Sequence, residues 1–167
     1  SSRYRIVRPD LPGFGGTEIS RTAWGLNDYA DFVRDFCAKI NINPDAIIGH
    51  SFGGRIAIKG VSGGMLNPAR LVLVASAGIA KNRTPCARAL RIIAAALKPL
   101  LSVPPLVFWR DLVRRRAYRS IGSDYADAGP LRETYIKIIR EDLSASAQKI
   151  KIPTLLIWGK EDRKTPV

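Results

Sequence analysis

One histidine, two cysteines and one methionine stand among 167 residues. The cysteines, Cys37 and Cys86, are too few for a disulfide framework and too far apart for a metal-ligand set, so no metal site is expected. Cys37 falls in a helical pattern and Cys86 in a polar turn, so neither reads as a catalytic thiol. Uninterrupted apolar runs are also missing. The most apolar stretch, residues 90–109, carries Arg91, Lys98, Pro99, Pro104 and Pro105, which argues against a membrane span. The opening SSRYRIVRPD lacks the apolar run and small-residue cleavage site of a signal peptide. With the sparse cysteines, this makes the cytoplasm the expected compartment.

Acidic residues are scarce. Lys and Arg number 27 against 14 Asp and Glu, a net charge of +13. Such a surplus suits an anionic partner, but it reads first as a basic, solvated surface. No nucleic-acid-binding motif accompanies it, so no nucleic acid is expected as partner.

What is present is an alternation of strand and helix. Four apolar runs, residues 4–7, 45–48, 70–75 and 154–158, read as strands, the last three continuous as in a parallel sheet covered on both faces. Between them, Asn27 is placed to cap a helix carrying Tyr29, Phe32, Val33, Phe36 and Ile40 at helical spacing, ended by residues 41–44. A second helix is predicted from Phe52, fading over residues 60–64. The rhythm implies an α/β fold, a mostly parallel sheet of about four strands flanked by helices. Three parts follow. Residues 1–78 form a core. Residues 79–146 form a mostly helical insertion, a cap, whose last helix has Pro130 in its first turn and Leu131, Tyr135, Ile138 and Ile139 as its apolar stripe. Residues 147–167 return a strand and a loop.

Gly49-His50-Ser51-Phe52-Gly53, with Gly54 behind it, has the G-x-S-x-G pattern of a nucleophile elbow. The pattern has meaning only between a strand and a helix, and both are predicted there. Glycine permits the tight bend and close backbone approach. The serine hydroxyl then stands at the strand end, and the helix N-terminus offers the Phe52 N–H to an oxyanion. His50 invites the role of base, yet adjacent side chains on an extended backbone point to opposite sides. A supporting or packing role is expected for His50, and the base is expected elsewhere.

With the elbow in place, the chain resembles the α/β-hydrolase superfamily, in particular its capped serine hydrolases and esterases. Three stretches carry the likeness: Arg8-Pro9-Asp10-Leu11-Pro12-Gly13-Phe14-Gly15, then Gly49 to Gly54, then Ile152-Pro153-Thr154-Leu155-Leu156-Ile157-Trp158-Gly159-Lys160-Glu161-Asp162 with Thr165-Pro166. The resemblance implies Ser51 as nucleophile and Asp162 as triad acid, with Glu161 a weaker match because the family places its carboxylate three residues after the glycine. It implies no cofactor. Asp10 is expected to hold a turn. Gly13-Phe14-Gly15-Gly16 lacks the third glycine of a dinucleotide loop.

The likeness also implies departures. The family's histidine follows a later strand, its second oxyanion donor an earlier one, and the chain corresponds to the stretch from fourth strand to acid loop. On that reading the 167 residues alone are expected to be inactive, poorly stable and aggregation-prone through open sheet edges. For the intact protein the expectation is an acyl-enzyme hydrolase of a small apolar ester or thioester. Its pocket would be lined by residues 104–109, which would serve equally as the cap's own core. Arg110, Arg114, Arg115, Arg116 and Arg119 could give weak contact with an anionic membrane surface. The competing expectation is a non-catalytic binding protein on the same fold, with His50 as its one histidine.

Overall fold

The computed structural model describes residues 3–79 and 129–162. The expected pocket residues 104–109, the arginine cluster and Cys86 lie outside the described residues. The chain divides into one unit of Ser1–Ile79 with Pro130–Val167 and another of Ala80–Gly129. The expected 79–146 insertion is thus divided, with residues 130–146 in the same unit as the sheet.

Three strands form that sheet: β1 (Ala46–His50), β2 (Arg70–Val74) and β3 (Thr154–Ile157), in the order β1-β2-β3. Both pairs are parallel, with Ile48 against Val72 and Val72 against Leu155. All three strands therefore end on one edge. The expected count of about four is corrected to three among the described residues. Residues 4–7 form no strand, and Tyr4 and Ile6 are 77% and 75% exposed. An apolar alternation becomes a strand only where a neighbour takes up its hydrogen bonds, and this segment has no ladder partner.

Helix α2 (Phe52–Ser62) packs on β1 and β2, and α1 (Leu26–Lys39) packs on α2. Gly25, not Asn27, is the N-cap of α1: its N–H donates to Asp28 Oδ2 at 2.7 Å, the carboxylate reaching back as in half of a capping box. The helix closes at Ile40, followed by Asn41 in the left-handed region at φ 53°. Leu26, Tyr29 and Ala30 of α1 and Ile56, Ala57 and Ile58 of α2 meet Leu71 and Leu73 of β2 in the core. The other sheet face presents Ile48 and Leu155, 72% and 57% exposed. Among the described residues no helix is long and apolar enough to cross a membrane.

After a 3-10 turn (Gly129–Leu131), α3 (Arg132–Arg140) and α4 (Ser144–Ala147) lead into β3. Pro130 sits in that turn rather than in the helix itself. Ile138 is buried, while Ile139 is exposed, so the predicted stripe is only partly the buried face. Instead Thr134 is buried, its Oγ1 accepting the Trp24 N–H at 3.1 Å. A β-hydroxyl outside the predicted stripe thus joins the buried face of α3.

Tyr29 links α1 to the loop that follows the N-terminal segment. Its ring meets Phe52 and Trp24 edge-on, with centroids 5.0 and 5.2 Å away, and its hydroxyl donates to Pro12 O at 3.0 Å. Burial, and after it the Asp28 charge, raises the phenol above its ordinary value of 10.0. A raised phenol stabilises the fold while protonated. That contribution is whole below the ordinary value and lost as pH climbs through the native one. Tyr29→Phe is expected to cost about 1 kcal/mol at neutral pH, the net worth of a buried hydrogen bond. In urea unfolding, the variant's stability should fall less steeply than the parent's above about pH 10.

Candidate active site

Ser51 is the hinge between β1 and α2. It stands as N-cap of α2 at φ 48°, ψ −109°, a left-handed conformation in a non-glycine residue. Such backbone strain costs roughly 1–3 kcal/mol and persists only where the surroundings enforce it. The enforcement can be traced. Ser51 N–H donates to Val74 O at 3.0 Å, extending the β1–β2 ladder one residue beyond the strand. Ser51 O then accepts the Arg55 N–H at 3.3 Å, opening the helix. One residue is held by sheet on one side and by helix on the other.

The glycines permit this contact unequally. A Cβ on Gly49 would lie 2.7 Å from Gly54 Cα and 2.8 Å from both Gly53 O and Gly54 N. A Cβ on Gly54 would lie 2.2 Å from Ser76 Oγ and 2.6 Å from Ser76 Cβ. At Gly53 a Cβ would meet nothing within 4 Å. The bend is therefore pressed between β1, the first turn of α2 and the end of β2.

The first-turn N–H groups of α2, Phe52 foremost, have no intrahelical acceptor, and no acidic side chain occupies that turn. The positive end of the helix dipole thus lies at the strand edge with no acidic residue of its own turn beside it. The Phe52 ring packs against Tyr29 and, with centroids 5.8 Å apart, against Phe14. Phe14 belongs to the loop of residues 10–17. In it Asp10 Oδ2 accepts the Gly16 N–H at 3.0 Å and Asp10 O accepts the Thr17 hydroxyl at 2.7 Å. Asp10 thus holds a turn, and the turn carries an aromatic ring to the elbow.

His50 closes β1 opposite Val74 and is exposed, on the strand face shared with Ala46 and Ile48. Gly49, on the other face, is buried. Asp162 follows β3, its N–H donating to Gly159 O at 3.2 Å in a turn, and is half-buried. Because β1 and β3 are parallel to β2, Ser51 and Asp162 follow the same strand edge. Two inter-strand spacings, about 10 Å, separate the ends of β1 and β3. Among the described residues no group of three or more His, Cys, Asp or Glu side chains could hold a metal ion.

Arg55 and Ser76 were not singled out by sequence. Both are buried, each 7% exposed, and both abut the first turn of α2. A charged residue in the elbow helix reads as a solvent-facing position, and a serine in a small-residue loop carries no periodic signal.

Comparison with known proteins gives a consistent picture. A sequence model described as the alpha/beta hydrolase family matches residues 1–167. The chain is 26% identical over 185 aligned positions to the uncharacterized hydrolase YugF of Bacillus subtilis, covering 99% of this chain and 66% of that protein. It is 43% identical over 60 residues to the magnesium-chelatase 30 kDa subunit of Rhodobacter capsulatus, 35% of this chain and 21% of that one. A meta-cleavage product hydrolase from Pseudomonas fluorescens shares the fold with a TM-score of 0.61 at 22% identity, over all of this chain and 65% of its own. In each case the match spans less than two thirds of the relative's length.

Proposed function

The chain belongs to the alpha/beta hydrolase family, and from that premise we propose that it carries Ser51 as the nucleophile and Asp162 as the acid of a serine hydrolase acting on an ester-like bond. The observation that carries the reading is the strained turn at Ser51, held between β1 and the N-terminus of α2. Ser51 Oγ attacks the substrate carbonyl carbon and gives its proton to a base. The carbonyl oxygen becomes an oxyanion and accepts the Phe52 N–H. Collapse of the tetrahedral species breaks the ester C–O bond, and the base returns the proton to the leaving alkoxide. Water, deprotonated by the same base, then cleaves the acyl-enzyme and restores the hydroxyl. Asp162 orients the base and stabilises its charged form.

His50 is not that base, since it lies on the β1 face turned away from the core. The family resemblance implies a histidine reaching the interval between the β1 and β3 ends. The substrate side supports an apolar molecule, because Phe14 and Phe52 stand at the elbow. A small-molecule partner is proposed in preference to nucleic acid. The weak membrane-surface contact remains a proposal tied to the arginine cluster.

A fluorophosphonate probe tests the reading on the full-length gene product. The activated Ser51 oxygen displaces fluoride, and peptide mass spectrometry should place the phosphonyl adduct on Ser51. Absence of the adduct from folded protein would overturn the nucleophile and favour a non-catalytic binding protein on this fold.

A further inference from the structure

We infer that Arg55 is a positioning residue for Ser51, clamping the first turn of the elbow helix to the chain that returns toward β3. The inference rests on Ser51 being the nucleophile. Arg55 sits one turn into α2, and its side chain is buried rather than solvated. Its Nη2 donates to two main-chain carbonyls, Ile138 O at 2.5 Å and Glu141 O at 2.6 Å, at the end of α3. The same corner holds a second bond, from Leu143 N–H to Gly78 O at 2.8 Å, which ties that returning chain to the exit from β2. Gly78 has φ +123°, and a Cβ there would lie 2.8 Å from Leu143 Cδ1 and 3.2 Å from Arg55 Nη1. One turn along α2, Lys59 Nζ meets Glu141 Oε1 at 2.7 Å. The guanidinium therefore fills the corner where the elbow helix, the exit from β2 and the end of α3 converge.

The burial has no other evident use. Desolvation lowers the affinity of Arg55 for its proton, and the charges of Glu141 and Asp142, then Tyr135, work against that. Its Nε is buried without a hydrogen-bond partner among the described residues. A salt bridge chosen for stability alone would face a carboxylate, whereas here one nitrogen, Nη2, donates to two carbonyls of a neighbouring segment. The mechanical consequence lies at Ser51. On the sheet side the strained turn is fixed by Val74 O and by the Gly49–Gly54 approach. On the far side of α2, Arg55 is the side chain that anchors the turn. Releasing it lets the helix start, and with it the Phe52 N–H, drift from the nucleophile. A displacement near 1 Å costs up to about 100-fold in rate.

The test uses the full-length gene product and the rate of fluorophosphonate labelling at Ser51, with thermal unfolding followed in parallel. Arg55→Met keeps length and burial but removes the Nη2 donor and both of its hydrogen bonds. Its labelling rate constant and its kcat on a p-nitrophenyl ester should fall by between about 10- and 100-fold with KM within about twofold, at a temperature where the variant is fully folded. Arg55→Lys, which keeps a donor without the fork, should recover part of the loss. If Arg55→Met is unfolded at the assay temperature, Arg55→Lys decides by the same criterion, its rate lying below that of the parent at equal folded fraction. Equal rates in parent and folded variant, whatever the change in melting temperature, overturn the positioning role alone. An unlabelled parent overturns the nucleophile and this inference with it.

Discussion

Ser51→Ala in the full-length gene product is expected to lower kcat on a p-nitrophenyl ester by about 10⁴- to 10⁶-fold, the range that follows removal of a serine acting in concert with its base. The residual rate should stay measurable, because the Phe52 N–H and the apolar surroundings of the elbow survive the change and stabilise the oxyanion of direct water attack. Folding should be little affected, since alanine fits the same space. Ser51→Gly gives the sharper physical contrast. The turn at φ 48° is strained for any L-residue, so glycine should raise stability by roughly 1 kcal/mol or more while lowering turnover as far as alanine does. A site held in strain for chemistry behaves in this way, and a turn of purely structural origin has no catalysis to lose. His50→Ala should stay within about tenfold of the parent, as expected of a group not in hydrogen-bond reach of the reacting proton. A Ser51→Ala variant retaining more than a hundredth of the parent's kcat, in a preparation free of other esterases, would end the nucleophile assignment.

The elbow was legible because its signal is local and redundant. An apolar run, a G-x-S-x-G bend and a helical pattern from Phe52 to the Gly60 region all agree, and the structure has β1, the Ser51 turn and α2 at those residues. The parallel order of β1, β2 and β3 was legible for the same reason. What escaped was whatever depends on a distant partner. Residues 4–7 have a strand's alternation but no ladder partner, which pattern alone cannot reveal. Asn27 is the better cap by residue type, yet Gly25 caps α1 because Asp28 reaches its N–H and the Trp24 N–H is already satisfied by Thr134, 110 residues away. Arg55 has the sequence character of a surface charge. Its burial becomes visible only when Ile138 O and Glu141 O arrive from α3. Topology places the end of β3, which Asp162 follows, on the same strand edge as the end of β1, while the role of Asp162 rests on the resemblance.

The three glycines of the elbow should separate sharply on substitution by alanine, although the sequence pattern treats them alike. Gly49→Ala is expected to be the most damaging. Its Cβ would meet three backbone atoms at 2.7–2.8 Å, and backbone cannot rotate aside as a side chain can. Relief requires β1 and α2 to part, at a cost of about 3 kcal/mol or more. For a chain of this size that lowers the melting temperature by roughly 6–12 °C. Gly54→Ala should also destabilise, but less: the Ser76 Oγ can turn away, which leaves one immovable atom under 3.0 Å, the Ser76 Cβ at 2.6 Å, where Gly49 has three. Gly53→Ala should go the other way. Its Cβ enters open space on the first turn of α2, so the helix gains up to about 1 kcal/mol of intrinsic propensity with no clash. Differential scanning calorimetry of the three single variants checks the order. A Gly49→Ala variant as stable as the parent would mean that β1 and α2 are not in backbone contact at the bend. The close approach is what forces Ser51 into its strained turn, so the geometric basis for an activated hydroxyl at that position would go with it.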